Sequence, residues 1–86
     1  MNKQANIPLC VGVLELLSQR GLCRITHIMY ELNANCNSLK SQLSFMEEQG
    51  LVEKKPIEKK RIGYSITKQG SIILNSFNEV KEYSVS

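Results

Sequence analysis

Eighty-six residues leave room for one domain and no second. Apolar residues make up 42% and charged residues 22%, a balance that fits a folded globular chain and excludes a disordered one. The formal net charge of +3 identifies no partner, and one histidine with no aspartate leaves little from which to build an active site, so an enzyme is not expected.

No apolar run approaches the roughly 18 residues that cross a bilayer. The opening Met1-Asn2-Lys3-Gln4 lacks a secretory pattern, because the apolar stretch from Ile7 to Leu17 is broken by Pro8, Gly12 and Glu15. A cytoplasmic chain with no membrane partner is expected. Cys10, Cys23 and Cys36 are odd in number and form no C-x-x-C or zinc spacing. They are expected to be reduced, half-buried thiols that pack as small apolar residues. Neither a metal nor another cofactor is implied, and no small-molecule substrate.

The first periodic segment runs from Ile7 to Gln19, where Leu9, Cys10, Val13, Leu14, Leu16 and Leu17 give a broad apolar face at helical spacing. Pro8 suits a first helical turn and Gly21 a helix stop. Leu22-Cys23-Arg24 has the length of a bridging strand only. Ile25, Ile28, Met29 and Leu32 then recur at three and four, predicting a second helix. Asn33-Ala34-Asn35 reads as a short turn, since Asn both tolerates left-handed backbone and caps helices. A third helix follows from Cys36 to Gln49, with Cys36, Leu39, Leu43 and Met46 on one narrow stripe and Gly50 and Leu51 forming its end. Two helices joined so tightly form a helix-turn-helix candidate.

From Leu51 to Ile57 the pattern begins as a strand, which Pro56 ends or confines to an edge. Glu58 to Ile62 is a polar connection, and Gly63-Tyr64-Ser65-Ile66 alternates as a returning strand. Thr67 is a good cap for a last helix, about Lys68 to Tyr83, with an apolar stripe of Gly70, Ile73, Leu74, Phe77 and Val80. Ile72 falls off that stripe.

Charge is unevenly placed along this order. Residues 54–68 hold Lys54, Lys55, Lys59, Lys60, Arg61 and Lys68 against Glu58 alone, a local net of +5; the remainder holds five basic and seven acidic residues, a net of −2. A basic cluster on a nearly neutral body is the footprint of a polyanion binder, although lysines that keep a sheet edge soluble would look the same. The front of the third helix shows Asn37, Ser38, Lys40, Ser41 and Gln42, with acidic groups only at its far end, Glu47 and Glu48. Short polar side chains without negative charge can approach base edges and phosphates in a major groove.

The phrases Met46-Glu47-Glu48-Gln49-Gly50-Leu51-Val52 and Gly63-Tyr64-Ser65-Ile66-Thr67-Lys68-Gln69-Gly70 carry a resemblance. The first is similar to the L-x-x-x-G-L-I end of a recognition helix, the second to the Y-x-L-T-x-x-G exit from a wing. Arg24-Ile25-Thr26-His27-Ile28-Met29-Tyr30 is similar to the start of the second helix in the same proteins. From about residue 9 to 83 the chain thus resembles small archaeal winged helix-turn-helix transcriptional regulators. The implied fold is mainly α (α+β), a single winged-helix domain over residues 1–86. Its core spans 7–66 and its C-terminal helix 67–84, in the order helix, bridging strand, two helices, strand, wing, strand, helix.

The resemblance implies binding of double-stranded DNA as a homodimer joined through the last helix, for which Ile72, Ile73, Phe77 and Val80 are the candidates. That helix is shorter here than in relatives that dimerise by a coiled coil. On this reading Asn37, Ser38, Lys40, Ser41 and Gln42 meet the major groove, and Lys59, Lys60 and Arg61 reach phosphates or the minor groove. Lys54 and Lys55 add backbone contacts. Arg24 and Thr26 anchor a phosphate at the start of the second helix, or Thr26 is a plain cap. Tyr64 is expected in the core; Tyr30 is either exposed or packed. Phe45, opposite the Leu39 stripe, is expected to touch the last helix or a partner. Two alternatives stand beside DNA binding. One is a winged-helix protein–protein module. The other is a thiol redox sensor acting through Cys36, unless Cys36 is buried on the Leu39 stripe.

Overall fold

A computed structural model describes residues 6–85, with side chains for residues 6–79. Four helices and one hairpin follow each other as α1 (Ile7–Arg20), α2 (Ile25–Leu32), α3 (Cys36–Glu48), β1 (Val52–Glu58), β2 (Arg61–Ile66) and α4 (Lys68–Val85). The Asn6 side chain accepts the Leu9 N–H at 3.2 Å and Pro8 lies in the first turn of α1, where a missing N–H costs nothing. Gly21, at φ +81°, ends the helix. Cys10, Val11, Val13, Leu14, Leu16 and Leu17 are all buried, on more than one side of α1, because α2, α3, α4 and β2 pack around it.

The turn between α2 and α3 uses its asparagines as the sequence reading expects. Asn33 adopts left-handed backbone at φ 51°, and the Ala34 N–H closes on the Met29 carbonyl at 3.0 Å. Asn35 caps α3, its side chain accepting the N–H groups of Asn37 at 2.8 Å and Ser38 at 3.4 Å. At the other end of α3, Leu51 N–H donates to the Met46 carbonyl and Gly50 N–H to the Glu47 carbonyl, the Schellman pattern, with Gly50 at φ +76°. Leu39, Leu43 and Met46 are fully buried.

The exit from the hairpin has a physical explanation in the T-x-x-G phrase. The Thr67 hydroxyl accepts the Gly70 N–H at 3.0 Å, capping α4, and donates to the Gly50 carbonyl at 2.6 Å, tying α4 to the end of α3. A Cβ on Gly70 would fall on the Leu51 carbonyl oxygen, so only glycine allows α4 to start this close to β1.

The bridging segment forms one bridge, Cys23 to Tyr64, with paired hydrogen bonds of 3.0 and 2.7 Å, as its length predicts. Two local expectations are corrected. The hairpin strands reach farther than expected, leaving Lys59-Lys60 as the connection, and Pro56 sits inside β1. A two-stranded ribbon has only edge strands, so the missing N–H of Pro56 breaks no ladder beyond it. Thr26 is not the cap of α2; that position is Arg24, whose side chain makes no capping bond.

The aromatic expectations resolve by packing. Tyr64 and Phe45 lie against the core, together with Ile73 and Phe77, while Leu74 is buried in it. Tyr30 is 87% exposed. Among the described residues no helix is long and apolar enough to cross a membrane.

Candidate nucleic-acid interface

The outer face of α3 is a stripe at three- and four-residue spacing: Asn37, Lys40, Ser41, Ser44 and Glu48, all exposed. From Asn37 to Ser44 the stripe carries no acid, and Glu48 stands at the end of the helix. Glu47, beside it, is half-buried and paired with Lys54 of β1 at 3.7 Å, which offsets its charge. Ser38 is exposed at the flank, where it lines a groove with Asn6, Pro8 and Leu9.

Gln42 does not belong to this face. It is 8% exposed, and its side-chain carbonyl accepts the Asn6 N–H at 3.0 Å and the Cys10 thiol at 3.3 Å. The helix turns it inward, one residue before Leu43 and opposite the Asn37 side, so it ties the start of α1 to α3 instead of reaching a groove. The expectation that Gln42 contacts DNA is therefore corrected.

The hairpin carries its cations in two groups. Lys54 and Lys55 each have an acidic neighbour, Glu47 at 3.7 Å and Glu53 at 3.9 Å. Lys59, Lys60 and Arg61 at the tip are exposed and have no ion pair among the described residues. Glu58 lies beside them on the same tip. At the start of α2, Arg24 and Thr26 are exposed, and with Arg20, Leu22, Cys23, His27 and Ile57 they line an open cleft of about 540 Å³. Arg20 is held by Glu31 at 3.1 Å.

The thiols divide. Cys10 and Cys23 are buried, and burial pushes both thiol pKa values up. Cys36, at the first position of α3, is exposed, not half-buried on the Leu39 stripe as expected.

Of the proposed dimer residues, Ile72 is 51% exposed on α4. Ile73 and Phe77 are partly buried against the chain's own core. The side chain of Val80 lies outside the described residues.

Over residues 4–84 the sequence matches the winged helix-turn-helix family. The chain belongs to that family. Solved structures share its winged helix-turn-helix fold. YusO from Bacillus subtilis superposes with a TM-score of 0.83 at 16% identity, over 91% of this chain and 57% of YusO. The transcriptional regulator BldR from Sulfolobus solfataricus gives 0.79 at 19% identity, over 90% and 56%. A MarR family protein from Bacillus stearothermophilus gives 0.77 at 18% identity, over 91% and 54%. The chain spans little more than half the length of each. No curated protein matches its sequence.

Within this winged helix-turn-helix, sequence reasoning missed Ser44 on the outer stripe. Its signal was available: Ser44 stands three after Ser41 and four after Lys40. The pairing of Lys54 with Glu47 had no sequence signal, because it joins α3 to β1 across the Gly50 turn.

Proposed function

We propose that the chain is the duplex-DNA-binding part of a transcriptional regulator. In this reading α3 enters the major groove, where Asn37 and Ser41 read base edges, Ser44 lies next to them, and Ser38 and Lys40 meet phosphates or guanine. Lys59, Lys60 and Arg61 reach flanking phosphates or the minor groove, and Arg24 with Thr26 holds a phosphate at the uncapped start of α2. Lys54 and Lys55 contribute less, since Glu47 and Glu53 already neutralise them. One observation carries the reading: an exposed polar stripe on α3, free of acid from Asn37 to Ser44, accompanies three hairpin-tip cations with no ion pair among the described residues. The structural neighbours described as transcriptional regulators support it. A titration of fluorescein-labelled random duplex, followed by anisotropy at several salt concentrations, tests it. No binding at 50 mM salt overturns it and favours a protein–protein module.

A cytoplasmic location is part of the same proposal. Homodimerisation through α4 is part of the proposal, with Ile72, Ile73, Phe77 and Val80 as its candidate contacts. Light scattering of the parent and of Ile72→Glu checks it; a parent that stays monomeric sinks it. The thiol-sensing reading is favoured by one observation, the exposure of Cys36 at the head of α3. Loss of duplex affinity on oxidation that Cys36→Ser abolishes would support it, and an unchanged affinity removes it.

A further inference from the structure

Beyond the Cys23–Tyr64 bridge, the outer hairpin is a bare two-stranded ribbon. Such a ribbon is marginally stable by itself and needs packing to hold a direction. From Tyr64 to Arg61 it extends about 10 Å at 3.3 Å per residue. Its three tip cations can meet a duplex only if that length is aimed.

The register shows what aims it. Pro56 pairs with Ile62 and Glu58 with Arg61, so Ile57 is an extra residue in β1, a bulge. Alternation that turns Val52 and Ile66 to the core puts Gly63, Lys55 and Ile57 on the opposite face. There Ile57 lies diagonally across Gly63. A Cβ on Gly63 would stand 2.6 Å from Ile57 Cδ1, 2.9 Å from Ile57 Cγ1 and 3.1 Å from Leu22 Cδ1. The bare glycine is thus a socket: Ile57 fills it from one strand and Leu22 from the segment before α2. Gly63 is buried and Ile57 half-buried, although both neighbours of Ile57 in β1 are exposed. Arg24, the cap of α2, and Thr26 and His27 of α2 line the same open cleft as Ile57.

We infer that Ile57 and Gly63 are positioning residues, which through this apolar clamp with Leu22 set the angle of the wing tip against the start of α2 and so deliver Lys59, Lys60 and Arg61 to the duplex. The inference rests on the DNA-binding reading above. It also explains why β1, charged from Glu53 to Lys55 and again at Glu58, carries an isoleucine at its bulge. The side chain is aimed at the body and contributes no contact to the nucleic acid.

The test compares the parent, Ile57→Ala, Ile57→Val and Gly63→Ala, each alone and in a Lys59→Ala/Lys60→Ala/Arg61→Ala background, on fluorescein-labelled random duplex. Melting temperature and amide exchange of the hairpin are followed alongside. Ile57→Ala is expected to leave α1, α3 and α4 folded and to speed exchange between Lys55 and Ile62. It flattens the log–log salt slope by about 1–2, toward that of the charge triple. Ile57→Val restores the parent slope. In the triple background neither Ile57→Ala nor Gly63→Ala costs further affinity. If Ile57→Ala fails to fold, Gly63→Ala carries the same test, since its methyl displaces the flexible end of Ile57 without hollowing the core. A folded Ile57→Ala or Gly63→Ala with the parent's slope overturns the inference alone, as does an equal loss in the triple background. A parent that binds no duplex overturns the DNA-binding reading and this inference with it.

Discussion

Replacing Lys59, Lys60 and Arg61 together by Ala isolates the wing's electrostatic contribution. The structure supplies the expected magnitude. Arg20, Lys54 and Lys55 already lie within 4 Å of Glu31, Glu47 and Glu53, so they release few counterions on binding. Arg24, Lys40, Lys59, Lys60 and Arg61 have no such partner among the described residues, which leaves five cations on the proposed surface. At about 0.9 per neutralised phosphate the parent's log–log salt slope is about −4.5, and affinity falls about 500-fold between 50 and 200 mM salt. Two cations remain in the triple variant, giving a slope of about −1.8 and a fall of about 12-fold. The loss is the same for every duplex sequence, because phosphates carry no sequence information. Anisotropy titrations with two unrelated duplexes at four salt concentrations measure both quantities. The tip is exposed and outside the core, so folding stability should change by no more than the few tenths of a kcal/mol typical of surface substitutions. An unchanged slope would remove the wing from the interface, and a sequence-dependent loss would mean that the tip reads bases.

Asn37→Ala and Ser41→Ala should change which duplex is preferred, by roughly 1–3 kcal/mol at an affected base pair; an even loss across a randomised library would reduce α3 to backbone contact. Gln42→Ala should cost about 1–2 kcal/mol of stability by leaving the Asn6 N–H without its acceptor, while duplex affinity in the folded variant stays at the parent value. A loss of affinity at unchanged stability would put Gln42 back on the outer face. Alkylation of the native protein should modify Cys36 first, and the buried Cys10 and Cys23 only as fast as the chain opens; equal rates for all three would contradict the burial of Cys10 in α1 and of Cys23 at its bridge to Tyr64. Burial raises the folded-state pKa of Cys10 and Cys23, so their contribution is complete below the ordinary thiol value of about 8.5 and is lost as pH rises through the raised values. The melting temperature should fall over that alkaline window, and a Cys10→Ala/Cys23→Ala variant should lose less of it; an identical profile would refute the linkage.

Much of the α3 end and the α4 start was legible because it depends on local chemistry. Gly50 supplies the positive φ of a Schellman end whatever the rest of the chain does. Asn33 and Asn35 carry left-handed backbone and a cap in the same way. Thr67 and Gly70 were readable as a phrase, although the contact that requires Gly70, the Leu51 carbonyl, joins two elements and could not be seen. Gln42 shows the opposite limit. Its polarity places it among Asn37, Lys40 and Ser41, and its position beside Leu43 places it at the edge of the buried stripe. The backbone N–H of Asn6 and the Cys10 thiol, 36 and 32 residues away, decide between the two.

The sequence by itself determined the kinds and order of the elements, because periodicity, caps and turn residues act over a few positions: four helices, a tight turn after Leu32, and a hairpin rich in lysine. Only the tertiary structure decided which exposed polar groups remain available. Lys54 is answered by Glu47, Gln42 is drawn inward, Cys36 is left outside, and Ile57 is seated on Gly63. Each of these outcomes depends on two segments meeting in space, where burial and charge pairing change what a side chain can still bind.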